Sequence, residues 1–392
     1  MSAPSHPVEI LERPTPGAQK PNNAAAPYRA DHVGSLLRPA VVKQALEDFG
    51  AGKISAAQRQ AAEDQGIKEL IALQEAVGLK VVTDGEARRH FWHYDFLADL
   101  DGVEFVTRDA EQGNAFHGIK HPATFPTMVG KLDFPDDHPM LEHFKFVVAN
   151  TKVTPKISIP GPSVAHYRTA KADIHVAEYK DPEVLFADLA KTFAKAVQKF
   201  YDAGCRYLQM DDIYFAYLGD EKQRELKRAE GHDPDKLIDS YAWMMHEAIK
   251  DRPADMLIGM HMCRGNFRST WAAEGGYDAA ADAIFNKTGV DLFFMEYDTD
   301  RAGGLEPLRL LAKGKQRVYP GFITTKTGAL EDLDMLKRRF EDASKFADLD
   351  QLGIAPQCGF SSTEHGNAIT EDDQKRKLEL VVETAQAIWG EP

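Results

Sequence analysis

Eight short apolar runs, each followed by a stretch long enough for an amphipathic helix, constrain this chain more than any other feature. The runs are YRADHVGS (28–35), LKVVTDGE (79–86), PKISIPGPS (155–163), CRYLQMDD (205–212), DMLIGMHMC (255–263), VDLFFMEY (290–297), QRVYPGFIT (316–324) and LGIAPQCGF (352–360). Between and after them lie helical candidates at 57–77, 182–203, 234–250, 277–287, 305–313, 331–346 and 372–389. Their apolar residues recur at three- and four-residue spacing, most clearly in PEVLFADLAKTFAKAVQKFYDA. Strands alternating with helices imply a parallel sheet, and eight regular units predict closure into a (β/α)8 TIM barrel. An open doubly wound sheet is the alternative.

Two segments break the rhythm. Residues 1–27 are rich in Pro, Ala and Asn with little periodicity, and read as a flexible N-terminal extension. Residues 98–150, between strands two and three, are rich in His, Phe, Pro and Asp and read as an insertion, a small subdomain or lid over the barrel mouth. Its histidines, His117, His121, His138 and His143, are expected to be exposed loop residues. The remainder, 28–392, is read as one catalytic domain. A formal net charge of −14 argues against nucleic acid or an anionic membrane as partner. No apolar run is long enough to span a bilayer, and no signal pattern opens the chain. Three cysteines, Cys205, Cys263 and Cys358, make no disulfide framework and point to a reducing cytoplasm. A homo-oligomer is left open.

Polar or glycine-containing residues end each run, and active sites of this fold sit at the C-terminal ends of its strands. In LIGMHMC, His261 and Cys263 are two apart and so share one face of a strand. Imidazole and thiolate are both good zinc ligands. The next run ends in Glu296 and the last in Cys358, giving a His, Cys, Glu, Cys set from three strand ends. The plain alternatives are that the cysteines pack as small apolar residues, as Cys205 is expected to do, and that Glu296 caps a helix or pairs with Arg. Glu86 in TDGE and Asp211 in QMDD are candidates for binding a substrate ammonium or moving a proton, with Asp212 free to cap a helix. Gly34 and Ser35 in HVGSLLRP suit a turn whose amides hold a carboxylate. No nucleophile elbow, P-loop or dinucleotide fingerprint occurs.

Taken in order, ADHVGSLLRP, VVTDGEARR, LQMDD, HMCRGN, FMEY and APQCGF resemble the catalytic C-terminal barrel of cobalamin-independent methionine synthase, in its stand-alone bacterial form. The resemblance covers about residues 28 to 390. It implies a zinc enzyme that moves a methyl group to the thiol of homocysteine. By motif, it places His261, Cys263, Glu296 and Cys358 as zinc ligands, Gly34 and Ser35 at the amino acid's carboxylate, and Glu86 and Asp211 at its ammonium. Two features depart from the larger enzymes. PGFITTKTGALED, after strand seven, lacks the histidine expected to protonate a folate leaving group, and no folate-stacking Trp occupies PKISIPGPS. The implied methyl donor is therefore methyltetrahydrofolate bound differently, a methyl-corrinoid, or a small methylated compound. A related branch opens epoxides with the thiol coenzyme M, and a zinc-dependent thiol transferase or lyase of that kind is the alternative. A non-catalytic barrel with core cysteines is the third reading.

Overall fold

Alternate residues of the central strands separate into two cores, and this separation builds the barrel. A computed structural model describes residues 28–108, 115–116, 119–120, 123–314 and 316–392. Val81, Tyr207, Leu292, Phe294, Tyr319 and Ala355 form a small buried cluster in the lumen. Their strand neighbours Leu208, Met210, Ile258, Met260, Phe293 and Met295 belong to the large cluster under the helices. The lumen also holds Lys156, fully buried, whose ammonium donates to Asp31 at 2.7 Å, to the His32 carbonyl at 2.5 Å and to Gln209 at 3.2 Å. It lies over the Tyr207 and Phe294 rings at 5.1 and 4.6 Å. A buried ammonium is tolerated only with such pairing.

Ile157–Pro160, Tyr207–Asp211, Leu257–Met262, Leu292–Glu296 and Arg317–Gly321 pair in chain order as one parallel sheet. Val81–Val82 pairs in parallel with Thr154–Pro155, just ahead of the first of these. Bridges Val318 to Leu352, Ile323 to Pro356 and Ala30 to Ile354 carry the circle through the eighth strand to the first. The first and second strands meet where the Leu36 N–H donates to the Gly85 carbonyl at 3.0 Å. The chain is thus the expected (β/α)8 barrel. The first run was expected to be a full strand over 28–35, yet it pairs only at Ala30. Side chains take over its carbonyls. Lys156 donates to His32, Gln209 to Val33 and Thr83 to Gly34.

The surrounding helices begin where the sequence signals them. Ala56–Ala76 opens on a Ser55/Gln58 capping box and Glu371–Trp389 on a Thr370/Asp373 one. Pro182–Asp202 and Pro234–Ile249 each follow an Asp cap with Pro at the first position. None of the described helices is long and apolar enough to cross a membrane.

Between strands two and three, Asp101–Arg108 and Ala123–Asp133 form an antiparallel ribbon, and Pro139–Asn150 is a helix. His138 is a correction to its expected exposure. It is buried, accepts from the Met140 N–H at 3.2 Å as the helix cap and lies 3.1 Å from the Phe96 carbonyl. The following proline and the aromatic face of Phe134, stacked at 4.7 Å, account for its burial. His143, on the same helix, is half-buried. His117, His121 and residues 1–27 lie outside the described residues.

Candidate metal centre and its pocket

Strand register sets the site. Asp211 and His261 are paired neighbours at the C-terminal ends of adjacent strands. Along Leu257–Met262, Gly259 faces the lumen rings of Tyr207 and Phe294, so His261 and then Cys263 follow on the same inward face. Cys358 arrives from the last strand end, its sulfur 3.7 Å from that of Cys263. One ligand atom from each of His261, Cys263 and Cys358 lies within 4.8 Å of the others, and all three residues are buried. Among the described residues, neither ring nitrogen of His261 has a hydrogen-bond partner of ordinary geometry. An orphaned buried imidazole beside two thiols is costly unless something binds them, and one nitrogen with two sulfurs is a zinc donor set. Burial works against the imidazolium, but Cys358, Asp211 and Glu296 outweigh it and hold His261 above its ordinary pKa. The hydrogen bond shared with Cys263, together with His261, holds the Cys358 thiol well below its ordinary range.

Glu296 stands outside this trio. Its Oε2 accepts from the Arg264 N–H at 2.6 Å, and its Oε1 faces the Arg301 guanidinium and the Lys326 ammonium, the latter at 3.6 Å. Burial would raise its pKa, but Lys326, Arg264 and Arg301 win and bring it to about 2. Arg264 is itself wholly buried, and it clamps the strand-end turn through the carbonyls of Gly275, Glu296 and Ala302.

The paired acids stand on the same pocket. Asp211 accepts from Gln209 at 2.7 Å, and burial, reinforced by Glu86, pushes its pKa up to about 7. Glu86 accepts from the Ser158 hydroxyl at 2.8 Å, has Arg89 at 3.7 Å, and leaves Oε2 without a hydrogen-bond partner among the described residues. Burial still wins and raises its pKa. Its backbone is left-handed, φ 56°, unusual for a non-glycine residue and typical of strain held at a functional site. Arg38 holds that strain in place by donating to the carbonyls of Glu86, Arg89 and Ser361 at 2.8, 2.9 and 2.6 Å. Two buried carboxylates with spare acceptor capacity are suited to a ligand cation.

Gly34 packs beside Glu86 and its partner Ser158, and Ser35 lines the pocket. The helix expected directly after them begins only at Ala40, so the turn is not a helix N-terminus. Ser35 instead ties the first strand to the last: its carbonyl accepts from the Phe360 N–H at 2.9 Å, and a side chain on Gly359 would strike its hydroxyl. Asp212, expected to cap a helix, instead accepts from the Ser163 hydroxyl, and neither Pro162–Arg168 nor Tyr214–Tyr217 has a side-chain cap.

The pocket includes residues the sequence reading passed over: Trp92, His93, Tyr94, Arg168, Asn266 and Ser362. HFWHYDF, directly after the second strand end, carried the signal. Its aromatic and imidazole side chains sit where active-site loops of this fold emerge.

Comparison with known proteins bears on the family and the fold. The sequence matches the family described as cobalamin-independent synthase, catalytic domain, over residues 30–386. An uncharacterized protein of Bacillus subtilis, YxjH, is 46% identical over 95% of this chain and 98% of its own. The structure of a putative vitamin-B12 independent methionine synthase from Listeria monocytogenes is 38% identical, with a TM-score of 0.74 over 93% of this chain and 98% of that one. A B12-independent methionine synthase from Shewanella sp. W3-18-1, in complex with selenomethionine, shares the fold at 19% identity, with a TM-score of 0.67 over 92% of this chain and 97% of its own.

Proposed function

Since the chain belongs to the cobalamin-independent synthase catalytic-domain family, we propose that it is a zinc-dependent methyltransferase that moves a methyl group to the thiol of homocysteine, yielding methionine. The observation that carries this reading is the juxtaposition of His261, Cys263 and Cys358 with the buried acids Glu86 and Asp211 in one pocket. His261, Cys263 and Cys358 would hold the metal. Glu296 is the fourth candidate, a carboxylate that would have to leave its Arg264, Arg301 and Lys326 contacts to join them. Bound zinc supplies Lewis acidity that lets a thiol lose its proton near neutral pH, and it does so without redox chemistry.

The protein's own groups then do the placing. Glu86 and Asp211 take the substrate ammonium, which relieves two carboxylates otherwise buried at a cost. The Gly34–Ser35 turn is assigned to the substrate carboxylate. Transfer forms a bond from the methyl carbon to sulfur while the bond to the donor's leaving atom breaks and its electron pair stays with that atom. The thiol proton has already left to solvent. A protein of the same fold was solved in complex with selenomethionine, in keeping with a methionine-like product. The acids count against coenzyme M, since its sulfonate would face two carboxylates. The proposed setting is cytoplasmic.

Zinc content and methyl transfer to homocysteine, measured with several donors and with or without chelation, test the proposal. Wild type should hold close to one zinc and lose activity on chelation. Cys263→Ala and Cys358→Ala should lose both; full zinc and activity in both variants would overturn the metal site.

A further inference from the structure

One polar layer of the lumen lies directly beneath the two acids. Ser158 and Gln209 are paired neighbours on Ile157–Pro160 and Tyr207–Asp211. Each serves one acid: the Ser158 hydroxyl donates to Glu86 at 2.8 Å, and Gln209 Nε2 donates to Asp211 Oδ1 at 2.7 Å. Gln209 and Asp211 are two apart on one strand and share its inward face. Asp211 lines the pocket, whereas Gln209 is fully buried below it. The other contacts of the Gln209 amide are long-range. Nε2 also donates to the Val33 carbonyl at 2.5 Å, and Oε1 accepts from the Lys156 ammonium at 3.2 Å. These partners decide which way the amide points. Reversed, it would set its oxygen against a carbonyl and a carboxylate, and its N–H groups against an ammonium. Lys156 is itself held by Asp31 at 2.7 Å and the His32 carbonyl at 2.5 Å. Gly259, opposite Gln209 on the next strand, closes the remaining side. A Cβ there would lie 3.3 Å from the Phe294 ring, 3.4 Å from the Tyr207 ring and 3.7 Å from Gln209 Cγ.

We propose that Gln209 is a positioning residue that fixes the Asp211 carboxylate for a substrate ammonium, and so makes the pocket prefer an amino-acid thiol to the same thiol without its amine. The inference rests on the thiol-substrate reading above and adds to it a residue that acts only through Asp211. With Oδ1 tied to the lumen side, the carboxylate is held in one orientation before a ligand arrives, and little ordering remains to be done on binding. The neutrality of the amide matters as much as its reach. A cation in its place would pair with Asp211 and compete with the incoming ammonium, whereas an amide orients the acid and leaves its charge and remaining lone pairs free. Gln209 stands between Lys156 and Asp211, so the buried ammonium sets the direction of the amide without occupying the acid. Lys156, Gln209 and Asp211 thus form a column from the lumen to the mouth, in which each member fixes the next.

Calorimetric titration of the purified full chain, supplied with zinc, tests this with two ligands: homocysteine, and γ-mercaptobutyrate, which keeps the thiol and carboxylate but has no amine. Gln209→Met should weaken homocysteine about tenfold or more, the loss expected for a hydrogen bond to a charged group, and leave γ-mercaptobutyrate unchanged. In an Asp211→Asn background the same substitution should have no further effect on homocysteine, because Gln209 acts through that carboxylate. The assignment is overturned if Gln209→Met binds homocysteine as tightly as wild type, weakens both ligands equally, or weakens homocysteine as much in the Asp211→Asn background. Failure of homocysteine to bind wild type would overturn the thiol reading, and this assignment with it. If Gln209→Met does not fold, Gln209→Asn takes its place. It keeps an amide for Lys156 but is one methylene too short to reach Asp211 as well, and the same selective loss is expected.

Discussion

Glu86 shows how one residue's cost becomes a function. Its carboxylate is buried, half-satisfied and carried on a left-handed backbone, and the native fold raises its pKa. A carboxylate raised in the folded state favours folding in its protonated form. That contribution is full below the unfolded pKa of about 4.3 and is lost as pH rises through the folded value. Glu86→Gln removes the ionisation cost. Ligand-free Glu86→Gln should therefore unfold at a higher temperature than wild type at pH 8, by roughly 1 kcal/mol, with the difference closing towards pH 4. The same substitution should weaken homocysteine binding at pH 8. Thermal melts across pH decide it, and a variant less stable than wild type at pH 8 would show that Arg89 and Ser158 outweigh burial. Gly34 supports the same carboxylate. A Cβ there would lie 3.1 Å from the Ser158 hydroxyl and 3.5 Å from Glu86, at φ +137°. Gly34→Ala should cost about 1–3 kcal/mol in a denaturant melt and weaken homocysteine as well, since the Ser158–Glu86 bond must give way. Unaltered homocysteine affinity would detach that turn from the ammonium site.

Strands do the positioning, and their alternation was legible in the sequence because it is a property of single residues. Tyr207, Gln209 and Asp211, or Gly259, His261 and Cys263, climb one face from lumen to mouth, and period two alone predicts it. The first strand was legible only in outline. Its carbonyls are taken by Lys156, Gln209 and Thr83 from other strands, a long-range exchange that leaves no local pattern. For the same reason Glu296 looked like a free ligand: Arg264, Arg301 and Lys326 come to it only through the fold. HFWHYDF was missed because an aromatic run after a strand reads as core, and only the closed barrel turns it to the pocket. Lys156 tests the element-scale argument. Lys156→Met leaves Asp31 buried without its ammonium partner and should cost about 3–5 kcal/mol. Adding Asp31→Asn should recover a substantial part of this in a double-mutant cycle. Strict additivity of the two losses would show that the pair does not hold the lumen together.

At the scale of the whole molecule, the three clustered candidate ligands come from strands five and eight, with Cys263 and Cys358 separated by 95 positions. A metal held by both spans the barrel's circumference rather than one loop, and the unfolded chain has no such site. Its binding free energy therefore adds to the stability of the entire barrel by mass action. With free zinc at a hundred times the dissociation constant, the gain is about 2.7 kcal/mol. Chelation should lower the melting temperature of wild type by several degrees, and added zinc should restore it. Cys358→Ser should melt near the chelated wild type and respond to neither treatment. Calorimetric scans of both proteins, untreated, chelated and with zinc added, separate this from a local effect. If chelation emptied the site yet left the melting temperature of wild type unchanged, the metal would be bound equally by folded and unfolded chains, and the barrel would not be what assembles it. A wild-type shift that Cys358→Ser also shows would place the stabilising metal somewhere other than between these two strand ends.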